Sequence, residues 1–215
     1  MREASFVHLH LHSEYSLSDG IIRVEELISR SLDLGYPAVA ITDNCNLFGL
    51  IKFYKMAREK GIKPIVGSEI RIIKDNNSSP APLVLLVRNK EGYTNLTELV
   101  SKAYLEGQER GEPLIELSWL NDNSDGLIAL SGGLNGYIGQ ALLSGNFDLA
   151  SSRIDFFTNL FRENFFLEIQ RLGKENEKEY NDSLIKIATE KQVPIVATND
   201  VRFLSPIDSD QSPSD

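Results

Sequence analysis

Short apolar, β-branched runs alternate along this chain with longer stretches of helical period, and that alternation restricts the fold more than any other feature of the sequence. Runs at 6–11, 38–42, 64–73, 83–87, 127–130, 165–169 and 195–198 read as strands. Between them, apolar residues recur at three- and four-residue spacings over 24–34, 47–60, 93–105, 138–143, 149–161 and 180–191, the pattern of helices that bury one face. Gly35 and Gly61 stand where a helix needs a left-handed residue just past its end, and Pro64 and Pro194 open the strands that follow. Repetition of strand, helix and strand implies parallel strands joined by right-handed crossovers, hence an α/β architecture. Seven such units favour a closed or nearly closed barrel. An open doubly wound sheet is the alternative, but its G-x-G-x-x-G fingerprint after the first strand is absent.

The segment 75–82 reads as an exposed turn between two strands. Beyond Phe203 the composition shifts to Ser, Pro, Asp and Gln without periodicity, so the expected organisation is one domain over 1–204 and a tail or truncated linker over 205–215. Lys and Arg number 22 against 31 Asp and Glu, and the basic residues are scattered singly. A net charge of −9 without a basic stripe argues against a free-standing nucleic-acid clamp, so contact with DNA is expected to be indirect or local. The single cysteine, Cys45, excludes an internal disulfide framework and a Cys-rich zinc module and suits a reducing cytosol. Apolar runs such as 82–87 fall far short of the roughly 20 residues that span a bilayer. Arg2, Glu3 and a histidine run occupy the place where a signal peptide would be apolar, and the expected location is cytoplasmic, away from membranes.

Parallel α/β folds collect their reactive residues at the C-terminal ends of the strands. Here the first strand exits through His8 to Ser13, the second through Thr42, Asp43 and Asn44, and the third through Gly67, Ser68 and Glu69. The fifth exits through Ser131, Gly132 and Gly133, the sixth through Glu168 to Arg171, and the seventh through Thr198 to Arg202. All three histidines fall in the first of these windows. Alternation by two puts His8, His10 and His12 on one face. His10 and His12 then suit one metal completed by carboxylates from other strands, and they equally suit a polar lumen in which imidazoles bond to carboxylates without a metal. Asp43 fits a helix N-cap or turn. Glu69 and Asp200 follow apolar strands, where a solvated face is less expected. The run Ser131 to Gly136 fits either a phosphate cradle or a tight left-handed turn.

The opening FVHLHLHSEYSL at 6–17, followed by Asp19 and Gly20, resembles the start of the PHP (polymerase and histidinol phosphatase) domain, in the form found at the N-terminus of bacterial DNA polymerase III alpha subunits. Further blocks resemble the polymerase form: AITD at 40–43 with NLFG at 46–49, GIKPIVG at 61–67, GYTNL at 92–96, GLIALSG at 126–132 and VATNDV at 196–201. The resemblance extends from residue 5 to about 205. It implies a distorted (β/α)7 barrel of the TIM-like PHP type, and a longer parent subunit whose polymerase core lies beyond residue 215.

Active members of that family hold three metals and hydrolyse phosphoesters, and in some polymerases the domain is credited with 3′ to 5′ proofreading. Carried over by position, the first metal set is intact as His10, His12, Glu69 and Asp200. The second needs a histidine near Pro82 and a histidine or cysteine near Gly133. The third keeps Asp19 but has Asn44 and Arg202 where histidines belong. The resemblance therefore implies one divalent metal (zinc, manganese or magnesium) or none, and no catalytic residue. Arg202 brings a fixed positive charge where a cation would sit. The preferred reading is a degenerate, structural domain that binds the rest of the alpha subunit and the separate epsilon proofreading exonuclease, touching DNA only through the whole polymerase. An active metal-dependent phosphoesterase or 3′–5′ proofreading exonuclease is the first alternative, and a stand-alone phosphatase of the histidinol phosphatase kind is the second.

Overall fold

A computed structural model describes residues 6–17, 19–74, 79–109 and 111–204. The expected tail at 205–215 and residues 75–78 of the expected turn lie outside them. The fold is mixed α/β, and the described residues divide into two compact units. One contains the residues up to Ser68 together with those from Asn199 onward, and the other is Glu69–Thr198.

The first unit contains α1 (Val24–Asp33), β1 (Ala38–Ile41), α2 (Leu50–Glu59) and the opening half of β2 (Lys63–Ile73). α1 buries Val24, Leu27, Ile28 and Ser31, which share one helical face, and Gly35 takes the left-handed conformation that ends it. α2 buries Leu50, Phe53 and Ala57. These faces meet Leu11, Ile22, Val39, Ile41 and Ile62 in one core. β1 pairs in parallel with β2, Ala38 opposite Lys63 through Ile41 opposite Val66.

The expected strand at 6–11 forms no regular ladder. Its chain is nevertheless bonded on both sides: Ala40 N–H donates to His8 O at 2.9 Å and Thr42 N–H to Leu11 O at 2.8 Å, while Val201 N–H donates to His10 O at 3.0 Å and His12 N–H to Val201 O at 2.8 Å. Between the first two bonds the 40–42 segment advances two residues and the 8–11 segment three, so one residue is extra, the signature of a bulge. Thr42 fills the irregularity with its own hydroxyl, accepting from Leu11 N–H and donating to Leu11 O. What survives of pairing is a single parallel bridge, Leu11 to Val201.

The second unit continues β2 and adds β3 (Ala81–Val87), α3 (Lys90–Leu105), β4 (Gln108–Glu109), β5 (Glu112–Pro113), β6 (Ile115–Glu116) and β7 (Leu127–Leu130). It closes with α4 (Tyr137–Leu143), α5 (Phe147–Phe161), β8 (Phe165–Ile169), α6 (Glu177–Lys191) and β9 (Ile195–Ala197). Neighbouring strands follow the order β1-β2-β3-β7-β8-β9, with β6 on β2. β7, β8 and β9 are parallel, but β3 and β7 run antiparallel, Val84 opposite Leu130 through Val87 opposite Leu127. This corrects the expectation of a wholly parallel sheet. The chain from β3 to β7 passes through α3 and the β4–β5 hairpin and returns in the opposite sense. Stacked rings of Phe157, Phe161 and Phe165 pack α5 against β8.

Candidate metal centre

The bulge also separates the histidines. His8 is half-buried, edge-on to the rings of Phe6 and Tyr36 at centroid distances of 4.9 and 5.3 Å. His10 and His12 are 2% and 0% exposed, and their Nε2 atoms lie 3.4 Å apart. Glu69 follows Ser68 in β2, and ligand atoms of His10, His12 and Glu69 all lie within 4.8 Å of one another. Two nitrogens bound to a tetrahedral zinc ion stand about 3.3 Å apart. The donor set of two imidazoles and a carboxylate, with that nitrogen spacing, therefore fits a divalent cation with room for a fourth ligand.

Asp200 has a backbone φ of 44°, in the left-handed region that Asp tolerates better than most residues. Its Oδ1 lies 3.8 Å from His10 Nε2 and 3.5 Å from His12 Nε2. The same oxygen accepts a hydrogen bond from Arg202 Nε at 3.1 Å. Arg202 Nη1 is 3.7 Å from Asp19 Oδ2, and the Asn44 amide donates to that carboxylate oxygen. A guanidinium thus lies between the carboxylates of Asp200 and Asp19. Asn44 fills its position as a neutral donor.

Asp43 is neither a helix cap nor a simple turn residue. Its carboxylate, 2% exposed, accepts from Ser13 N–H at 2.6 Å, Ser13 Oγ at 2.9 Å and Ser16 Oγ at 2.8 Å, while Ser68 Oγ donates to its carbonyl at 2.7 Å. Ser16 Oγ also lies 3.0 Å from His12 Nδ1. Ser13 and Ser16 lie in the expected first exit and motif block, but neither was expected to bond to Asp43. Their signal, two serines three apart directly after the H-x-H, acquires meaning only once residue 43 is known to lie beside them.

The remaining expected positions belong to the second unit. Gly132 and Gly133 adopt φ of 78° and 62°, as a tight left-handed turn requires, and Gly132 N–H donates to Glu168 Oε2 at 3.0 Å. A Cβ on Gly133 would meet the side-chain amide of Gln170 at 3.1 to 3.3 Å, tighter than ordinary van der Waals contact, so Gln170 crowds a side chain placed at 133. Pro82 presents its carbonyl to Gly132, where a Cβ would clash at 2.1 Å. Glu168, fully buried, also accepts from Gln170 Nε2 at 3.2 Å and from the Thr198 hydroxyl. The Tyr180 hydroxyl donates to the Glu168 carbonyl at 2.8 Å, and burial first, with the Glu168 charge second, pushes that phenol well above its ordinary range.

Residues 8–172 match the PHP domain family. The chain is 45% identical over 201 residues to the DNA polymerase III subunit alpha of Pseudomonas aeruginosa, covering 93% of this chain and 17% of that protein. It is 42% identical over 211 residues to the corresponding subunit of Escherichia coli K12, covering 98% and 18%. The chain thus spans less than a fifth of the length of these relatives. Among solved structures it resembles an amidohydrolase from Chromobacterium violaceum, with a TM-score of 0.58 at 14% identity over 94% of this chain and 92% of that one. It also resembles a two-domain protein from Bacteroides vulgatus containing a predicted PHP-like metal-dependent phosphoesterase, with a TM-score of 0.58 at 14% identity over 95% and 53%. Among the described residues no helix is long and apolar enough to cross a membrane.

Proposed function

This chain belongs to the PHP domain family, and from that premise we propose that it is the PHP portion of a bacterial DNA polymerase III alpha-type subunit whose metal cluster is reduced to one cation site and whose phosphoester hydrolysis is lost. One observation carries the reading: the Arg202 guanidinium lies 3.1 Å from Asp200 and 3.7 Å from Asp19, supplying positive charge where the family places a metal. His10, His12 and Glu69 are the residues that would hold a single zinc, manganese or magnesium ion, with Asp200 beside them. Such an ion supplies Lewis acidity to a bound phosphate. Hydrolysis of this type draws on neighbouring cations to stabilise both the attacking and the leaving oxygen, and one ion provides only part of that. Gln170 in the space beside Gly133 supports the loss of the second site.

On this reading the domain is a (β/α)7-type scaffold for the rest of the alpha subunit in the cytoplasm. Proofreading is supplied by a separate epsilon exonuclease docked on the alpha subunit. The net charge of −9 agrees with DNA contact through the whole polymerase rather than through this domain. The competing reading, a working phosphoesterase or 3′–5′ exonuclease, draws on the His10, His12 and Glu69 group. An exonuclease assay on 3′-hydroxyl DNA with zinc, manganese and magnesium separates them. No activity above that of an Asp200→Asn variant is expected; activity present in the parent and abolished in the variant would overturn the proposal.

A further inference from the structure

Ser16 Oγ has three polar neighbours: Asp43 Oδ1 at 2.8 Å, His12 Nδ1 at 3.0 Å and Asn44 N–H at 3.2 Å. A serine hydroxyl has one hydrogen to give and two lone pairs. The Asp43 carboxylate, already accepting from Ser13 N–H and Ser13 Oγ, can only accept, and a backbone N–H can only donate. The hydroxyl hydrogen therefore goes to Asp43, one lone pair receives Asn44 N–H, and the other is left for a proton on His12 Nδ1. We infer that Ser16 and Asp43 form a relay that holds neutral His12 in its Nδ1–H tautomer, so that Nε2 presents a lone pair toward His10 and Asp200.

Every member of the relay is braced. Ser16 and Asp43 are 4% and 2% exposed, and the Asp43 carbonyl is tied to Ser68 Oγ at 2.7 Å. Metal-binding histidines owe their orientation and basicity to such a partner on the second nitrogen, and losing it typically weakens metal binding by about 10- to 100-fold. Ser16 and Asp43 are thereby positioning residues for a cation on His12, a use that rests on the proposed metal site, whereas the tautomer itself does not.

The test is histidine ¹⁵N NMR on the metal-free chain at pH 8, above the ordinary imidazole range, with zinc titration of the same samples. The parent is expected to show His12 as Nδ1–H; Ser16→Ala should shift it toward the Nε2–H form and weaken zinc binding by about 10- to 100-fold. Ser16→Thr, which keeps the hydroxyl, should restore both. An Nε2–H or mixed tautomer in the parent, or an unchanged His12 signature in a folded Ser16→Ala variant, would overturn the relay. A parent with the Nδ1–H signature that takes up no zinc would support the relay and refute the cation site of the proposed function.

Discussion

Arg202 and Asp200 show how much a single side chain decides at this site. The Asp200 side chain is 10% exposed and that of Arg202 32%. Breaking a deeply buried pair costs about 3–5 kcal/mol and an exposed one under about 1 kcal/mol. Arg202→Ala is therefore expected to lower stability by about 1–3 kcal/mol at neutral pH. A thermal midpoint equal to the parent's would show that the guanidinium has not taken over a cation's electrostatic role. Cys45 makes a second expectation. It is buried, and burial pushes its thiol up to about 12, so at pH 8 almost none is thiolate. Iodoacetamide should leave the native chain unmodified and label it once denatured; rapid native labelling would contradict this burial. Glu69 lies inside β2 and stood out only as a carboxylate in an apolar run, whereas His10 and His12 were legible through their alternation and Asp200 through its place just after β9. The serine–aspartate relay was not, since it joins residues 27 and 30 apart through a bulge that no hydrophobic pattern announces.

Helices and strands were legible in kind and less so at their ends. α3 begins at Lys90 rather than 93 because Asn89 accepts from Gly92 N–H at 3.0 Å, and α5 begins at Phe147 because Asn146 does the same for Leu149 N–H at 3.0 Å. Polar caps lie outside the apolar repeat that marks a helix, so the repeat underestimates its length. The antiparallel step between β3 and β7 was invisible for a related reason. Both strands are almost wholly buried, and a continuous apolar run carries no sign of its direction. The turn after β7 yields a prediction of its own. Gly133 combines φ of 62° with a Gln170 amide in the path of any side chain, so Gly133→His should destabilise by about 1–2 kcal/mol and add no bound metal. An added equivalent of zinc in that variant would show that Gln170 yields its place.

For the molecule as a whole, the resemblance carried by the histidine run and the ordered blocks led to the PHP family, and the match over residues 8–172 bears it out. Charge and composition alone had excluded classes without choosing one. On the proposed reading the metal site is cut down from three positions to one, with Arg202 in place of a ligand and Gln170 crowding the position at Gly133. Converting Asn44→His and Arg202→His together should raise zinc uptake above the parent's, because the two changes remove a cation and return two imidazoles. The most direct measurement is the metal content of the parent chain itself, by elemental analysis after loading with zinc or manganese and removal of unbound ion. One equivalent or less per chain is the predicted result, and two or three would contradict the account.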